Sequence, residues 1–248
     1  MPTTPPPAGR TSAVDGERRA ASSVPPRPAA AAALLCAVLF GLLLTLVVLR
    51  WVPLISLDTD LAGVLHRTAV AAPGWTHRNR VLSDWVWDPW TMRAVLAVAV
   101  CLLLRRGERL LAAWVAATSL VGTGLQQAVK ALVGRERPVW PDPVDSAGYA
   151  AFPSGHALSA MVAGVLVLWL LRLHGMPRRW QWAARAVVAV SVVGVGFTRV
   201  FLGVHWPSDV VGGWLLGGAL VAGSMAAYHA YPAGRDRPGC AHESEWRS

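Results

Sequence analysis

Long apolar runs constrain this chain more than any other feature. Ala29 to Leu49 is almost unbroken hydrocarbon, and about 20 such residues are what a helix needs to cross a bilayer. Five more runs follow, at Trp87–Leu104, Leu110–Val129, Ala157–Leu171, Ala186–Phe201 and Val210–Tyr231. In lipid every backbone polar group has to be satisfied internally, so such runs fold as helices. The expected fold is therefore all-α, a multi-pass membrane bundle of about six transmembrane helices. The second span is the least sharply bounded, because its uninterrupted apolar part begins only after Arg93. Trp85, Trp87 and Trp90 are expected at the membrane interface, with Arg93 reaching outward.

Composition agrees. Apolar residues are 54% of the 248 and charged residues 15%, against about 25% charged in an average soluble domain. Residues 1–28, rich in Pro, Ala, Ser and Arg, read as a disordered cytoplasmic tail. Residues 233–248 read as a second polar cytoplasmic tail, leaving 29–232 as the membrane domain. The first run is too long for a signal-peptide core of about 7–15 residues and has no clear cleavage site behind it, so it reads as a retained anchor. Residues 53–85 form an outer loop with room for short interfacial helices. Gly194 and Gly196 in the fifth run, and Gly212, Gly213, Gly217 and Gly218 in the last, permit close helix packing. Cys36, Cys101 and Cys240 show neither a disulfide framework nor zinc spacing.

The formal net charge is +9, from 23 basic and 14 acidic residues. The arginines form no single stripe of the kind nucleic acid requires. They cluster between apolar runs, where acidic membrane lipids are the natural counterpart. With the N-terminus inside, the inner segments hold Arg10, Arg18, Arg19 and Arg27, then Arg105, Arg106 and Arg109, then Arg172, Arg178, Arg179 and Arg185, then Arg235, Arg237 and Arg247. This is the positive-inside pattern, with both termini cytoplasmic. Outside, Arg67, Arg78 and Arg80 are offset by Asp58, Asp60, Asp84 and Asp88. Lys130, Arg135, Arg137 and Arg199 also fall outside and break the rule unless they have another task.

That task is suggested by three polar clusters, all on the extracytoplasmic face in this topology: Lys130 to Pro138, Pro153-Ser154-Gly155-His156, and Arg199 to Asp209. Lys130, Arg137 and Arg199 bring three positive charges to one place with too little negative charge beside them, so an anion is the expected ligand. Arginine forks match phosphate oxygens bidentately, and lysine adds a point charge. Ser154 reads as an N-cap with Gly155 opening the helix, and a helix N-terminus offers free N–H groups to phosphate. Pro207 suits the first turn of the last helix.

Two histidines complete the constellation. His205 and Asp209 lie four apart, one helical turn if the helix starts near His205. A carboxylate there holds one ring nitrogen protonated and leaves the other free to attack. His156 has no such partner and is placed to protonate a leaving oxygen. A zinc site from His156, His205 and Asp209 is the competing constellation; the three nearby cations disfavour it, so no metal and no cofactor are expected.

These clusters resemble the three motifs of the type 2 phosphatidic acid phosphatase superfamily, whose pattern is K-x6-RP, then PSGH, then SR-x5-H-x3-D. Lys130, Arg137 and Pro138 match the first, Pro153 to His156 the second, and Arg199, His205 and Asp209 the third, with Thr198 in place of the usual serine. The resemblance implies a metal-independent phosphatase acting on a membrane lipid phosphate. It implies His205 as the nucleophile that forms a phosphohistidine, Asp209 as its orienting carboxylate and His156 as the general acid. Lys130, Arg137, Ser154, Gly155 and Arg199 are implied as the phosphate cradle. A phosphotransferase using the same phosphohistidine, and a non-enzymatic headgroup-binding or transport protein, are the alternatives. Isoprenoid diphosphate, phosphatidic acid and phosphatidylglycerol phosphate all present a suitable terminal phosphate.

Two predictions follow from sequence alone. A reporter fused after Tyr231 should behave as cytoplasmic and one inserted near Ser146 as external; the opposite pattern overturns the topology. Lys130 is the one lysine among 23 basic residues. Arginine would bring a broader fork to a site that already holds two, and misplacement by about 1 Å can cost roughly a hundredfold in rate. Lys130→Arg should therefore lower kcat/KM for lipid phosphate at least about tenfold, and wild-type turnover in this variant would mark the lysine as a leftover of codon usage.

Overall fold

The computed structural model describes residues 26–231. Among the described residues the chain is helices and loops, with no strand. In order they are α1 (Pro26–Val48), α2 (Val52–Ala71), α3 (Pro73–Val81), α4 (Pro89–Arg105), α5 (Arg109–Val133), α6 (Gly155–Leu173), α7 (Arg178–Phe201) and α8 (Pro207–Ala230), with a π-helical turn at Leu82–Val86 between α3 and α4. Prolines open α2, α3, α4 and α8, where a missing N–H costs nothing and φ is already helical. At α4, Asp88 also caps the helix by accepting the Trp90 N–H at 2.7 Å.

Five helical stretches are long and apolar enough to cross a membrane, by length and composition: Arg27–Val48, Pro73–Arg105, Gly155–Leu173, Arg178–Phe201 and Pro207–Ala230. The expected third span is α5, which at 25 residues has the length. Gln126, Gln127 and Lys130 make it more polar, and Gln126 and Lys130 are buried against the rest of the bundle. The stretch 53–85 is more regular than the expected loop, since α2 alone runs 20 residues. Residues 26–28, assigned above to the tail, already belong to α1. Residues 1–25 and 232–248, which hold most of both expected tails, lie outside the described residues.

α6 is the central helix, packed against α4, α5, α7 and α8, while α1 lies along α8. The main core gathers Leu111, Val115, Leu158, Leu166, Trp169 and Leu216 between them. Outward faces remain apolar, as with Leu34 and Val38 on α1 and Val187 and Val190 on α7, which suits helices solvated by lipid. One interfacial expectation is corrected. Trp85 and Trp90 are exposed, but Trp87 is buried beside Ala160 and Val195. A Cβ on Gly194 would lie 2.4 Å from its ring, so the glycine on α7 leaves the space that draws this indole inward. Arg93 sits over the Trp90 ring at 4.8 Å, a cation–π contact near the helix start.

The alternation of helix directions decides where polar groups meet. The C-terminal ends of α5 and α7 and the N-terminal ends of α6 and α8 fall at one end of the bundle, tied there by hydrogen bonds between the segments that carry them.

Candidate active site

The first motif turns on Gly134. This residue ends α5 in the left-handed region, at φ 60°, and its N–H donates to the Lys130 carbonyl at 3.0 Å. Glycine takes that conformation without a Cβ clash. The chain then turns away from the helix and returns Arg135 and Arg137 to the bundle end. Lys130 is buried, its Nζ donating to the Ala150 carbonyl at 2.5 Å. Arg137 donates from Nε to the Tyr149 carbonyl at 2.9 Å, from Nη2 to the Gly148 carbonyl at 3.0 Å and from Nη1 to the Val204 carbonyl at 2.5 Å.

The second motif opens α6. Ser154 is the N-cap, fully buried, with its hydroxyl accepting the Ala157 N–H at 3.5 Å. Its own N–H donates to the Asp209 carbonyl at 2.9 Å, which ties the start of α6 to the start of α8. The two helix starts also touch, since a Cβ on Gly213 would lie 2.5 Å from the Ser154 carbonyl oxygen. His156, half-buried in the first turn, lies within electrostatic reach of Arg199, His205, Arg137 and Lys130.

The third motif wraps the end of α7. The Arg199 carbonyl accepts N–H groups from both Val204 and His205, each at 3.2 Å. Gly203, at φ 71°, makes the tight reversal. Arg199 is 4% exposed; its Nη1 donates to the Ser83 hydroxyl at 2.8 Å, and Asp84 lies 3.9 Å away. Its Nε is buried without a partner. An unpaired buried guanidinium N–H is costly, and it marks where an anionic oxygen is wanted.

His205 stands where the three motifs meet. Its Nδ1 lies 3.2 Å from Asp209 Oδ2, and its Nε2 lies 3.2 Å from Arg137 Nη1. A carboxylate can only accept and a guanidinium can only donate. The network therefore puts the ring proton on Nδ1 and leaves a lone pair on Nε2, facing the cations. The pairing was expected across one helical turn, yet α8 begins at Pro207 and His205 lies before it. What brings the two together is a capping contact: Asp209, at the third helical position, accepts the Trp206 N–H at 2.9 Å. The same oxygen then receives the imidazole.

Burial first, then the charges of Arg137, Arg199, Lys130 and Arg135, hold the His205 imidazole well below its ordinary value. Both effects penalise imidazolium. Burial likewise lowers the Arg137 guanidinium from its ordinary value, and Asp209 opposes that shift. Among the described residues, no three His, Cys, Asp or Glu side chains are gathered where they could hold a metal ion.

Three neighbours were not singled out by sequence as parts of the site. Arg135 bridges Asp209 and Asp58, each at 2.7 Å. Ser83, on the π-helical turn, supports Arg199. Their partners lie far away in sequence, so no local spacing announces them. Only the surplus of outer-face cations hinted at Arg135.

Residues 109–232, half of the chain, match the family model described as the PAP2 superfamily. The chain belongs to the PAP2 superfamily. Among PAP2 relatives, it is 35% identical over 136 residues to a decaprenylphosphoryl-5-phosphoribose phosphatase of Mycobacterium tuberculosis, covering 54% of this chain and 68% of that one. It is 40% identical over 67 residues to an undecaprenyl-diphosphatase of Sulfolobus acidocaldarius, covering 27% of this chain and 28% of that one. It is 33% identical over 95 residues to phosphatidylglycerophosphatase B of Bacillus subtilis, covering 38% and 46%. The chain thus spans from under a third to about two thirds of these relatives. The fold matches the crystal structure of a transmembrane PAP2-type phosphatidylglycerolphosphate phosphatase from Bacillus subtilis, with a TM-score of 0.58 at 20% identity, over 83% of this chain and 99% of that one. With its apolar helices, this fold makes the chain a helical membrane protein.

The protonation state is directly measurable. In 15N-histidine spectra, the His205 ring should be neutral at pH 6.5, its ordinary midpoint, with the proton on Nδ1. Acidification should charge it only below that pH. A doubly protonated ring at pH 6.5 would refute the electrostatic reading.

Proposed function

We propose that this chain is a membrane phosphatase that removes the terminal phosphate of a lipid through a phosphohistidine, without a metal ion. The observation that carries the reading is the placement of His205, its Nδ1 against Asp209 and its Nε2 turned toward Arg137. That is a nucleophile with its orienting base behind it and its cationic target site in front.

The steps follow from the placements. The substrate phosphate takes the space among Lys130, Arg137, Arg199 and the first N–H groups of α6, including that of Gly155 behind Ser154. Its oxygens satisfy charges that are otherwise held by carbonyls or, at Arg199 Nε, by nothing. His205 Nε2 attacks phosphorus as the bond to the lipid oxygen breaks, and His156, carrying a proton taken up with the substrate phosphate whose charge offsets the nearby cations, gives that oxygen the proton. The imidazole in the adduct keeps its Nδ1–H and gains positive charge, which Asp209 balances. Water then attacks the phosphohistidine, His156 takes its proton, and inorganic phosphate leaves with His205 restored. The cationic site itself takes the place of a Lewis acid.

A cavity of about 420 Å³ opens beside Arg135, Arg137 and Trp206, with Val47, Ile55 and Leu132 among its other walls. A wall that is cationic at one side and apolar at the other favours a lipid over a free sugar phosphate. The names of the relatives, each a phosphatase of a prenyl or glycerol lipid, support the same class. Arginine distribution favours an active site on the extracytoplasmic side, with the termini in the cytoplasm. The same phosphohistidine could instead pass its phosphate to an alcohol, which would make the protein a phosphotransferase.

A panel of isoprenoid diphosphate, phosphatidic acid and phosphatidylglycerol phosphate, presented to purified protein in detergent, tests the reading. Phosphate release should survive EDTA and be abolished by His205→Ala, with the variant still folded. Asp209→Asn should be less severe, since it weakens only the orientation and support of the ring. Full activity in His205→Ala, or loss in EDTA restored by added zinc or magnesium, would overturn the mechanism.

A further inference from the structure

A buried polar network joins Asp58 of α2, outside the three motifs, to Arg135 and to the start of α8. Asp58 and Asp209 are fully buried carboxylates, with side chains 2% and 0% exposed, and Arg135 lies between them at 11%. Arg135 Nη2 donates to Asp58 Oδ2 at 2.7 Å. Its Nη1 donates to Asp209 Oδ1 and to the Ser208 hydroxyl, both at 2.7 Å. Asp58 also accepts the Ser208 N–H at 2.9 Å and the Ser208 hydroxyl. The guanidinium carbon lies 5.8 Å from the Trp206 ring centre.

We propose that Asp58 and Arg135 are positioning residues for His205, fixing the Asp209 carboxylate from behind. This role rests on the phosphatase reading above. The geometry separates Arg135 from the phosphate cradle. Both of its terminal nitrogens are committed to carboxylates and a hydroxyl, whereas Arg137 Nη1 faces the free nitrogen of His205. Asp209 is held by three donors: Arg135 on Oδ1, and the Trp206 N–H and His205 Nδ1–H on Oδ2. Three donors fix both the position and the plane of the carboxylate, and through it the ring that attacks. Asp58 in turn prevents Arg135 from swinging toward the cationic side. A carboxylate on α2, well outside the motif region, thus bears on the line of attack.

The test uses the full chain in detergent and one lipid phosphate that the wild type hydrolyses. Turnover is normalised to folded protein by thermal melting and to active sites by trapping the phosphoenzyme. Asp58→Asn and Arg135→Lys should each lower kcat at least about tenfold, because a displacement well under 1 Å is enough to do so, with KM within about twofold because the cradle is intact. In the Asp209→Asn background, Asp58→Asn should cost no more than about threefold further, since residues acting as one unit are not additive. Ser208→Ala removes no charge and keeps the test open if Asp58→Asn does not fold; it should lower kcat by about threefold to fivefold at unchanged KM.

A purely structural role would lower the melting temperature and leave kcat per trapped site at the wild-type value, which overturns the proposal. Raised KM at constant kcat would place Arg135 on the phosphate and overturn it too, as would full additivity with Asp209→Asn. A wild type that releases phosphate from no lipid overturns the phosphatase reading and this role with it. A working wild type with unaffected variants overturns this role alone.

Discussion

Three cations crowded around one buried imidazole set the terms for everything else at this end of the bundle. Lys130, Arg137 and Arg199 repel one another, and burial removes the water that would screen them. The fold answers with backbone carbonyls: those of Ala150, Gly148, Tyr149 and Val204 take the N–H groups of Lys130 and Arg137. Carbonyl dipoles compensate charge without cancelling it, so the site retains a net demand for an anion. The segment from 148 to 150 therefore has a structural reason to lie where it does. Its carbonyls hold the Lys130 and Arg137 side chains in place.

The same field disfavours a charged ring at His205. An imidazole in water is half protonated near pH 6.5, and a charged ring could not attack. Beside three cations and away from solvent, imidazolium is penalised twice. In the proposed mechanism, the cations that would bind phosphate also keep the attacking nitrogen available. In the phosphohistidine proposed above, the negative oxygens would offset the cations and the positive ring would face Asp209. Under that proposal the arrangement suits the adduct better than it suits a free imidazolium, which is the differential stabilisation that catalysis requires.

Much of this was legible in the sequence. Apolar runs located every long membrane helix to within a few residues, except that Arg178 begins α7 eight residues ahead of its expected start at Ala186. The extra turns carry Arg179, Trp180, Trp182 and Arg185, and hydrophobic length alone excludes such interfacial residues. Motif spacing brought Lys130, Arg137, Ser154, His156, Arg199, His205 and Asp209 to one place. Asp58 was misjudged for a physical reason: it sits two residues from Asp60, and both read as outer-face charges. Asp60 is exposed and Asp58 is fully buried. Which of two neighbouring carboxylates turns inward depends on a guanidinium 77 residues away, and local pattern does not carry that. Trp87 was misplaced likewise, because the space it fills is made by Gly194 on another helix.

The spacings within the motifs can be traced to backbone hydrogen bonds. Five residues separate Arg199 from His205 because the Arg199 carbonyl itself accepts the His205 N–H, closing the end of α7 around Gly203. One residue fewer would pull the imidazole back into that turn, and one more would lose the bond. Three residues separate His205 from Asp209 because the carboxylate caps the Trp206 N–H at the start of α8 and reaches one residue further to the ring. The first motif obeys the same logic: Gly134 closes α5 on the Lys130 carbonyl, and the chain needs the following residues to bring Arg137 back beside Val204 and His205. The second motif is locked to the third by the Ser154 N–H on the Asp209 carbonyl. Asp209 thus serves three elements at once: its carbonyl holds the start of α6, while its carboxylate holds the start of α8 and the ring of His205. A change in any helix packing that moves Asp209 must therefore move the His205 ring and the N-terminus of α6 together. That coupling gives a physical reason for short motifs at helix ends to keep fixed spacings while the apolar faces between them are free to vary.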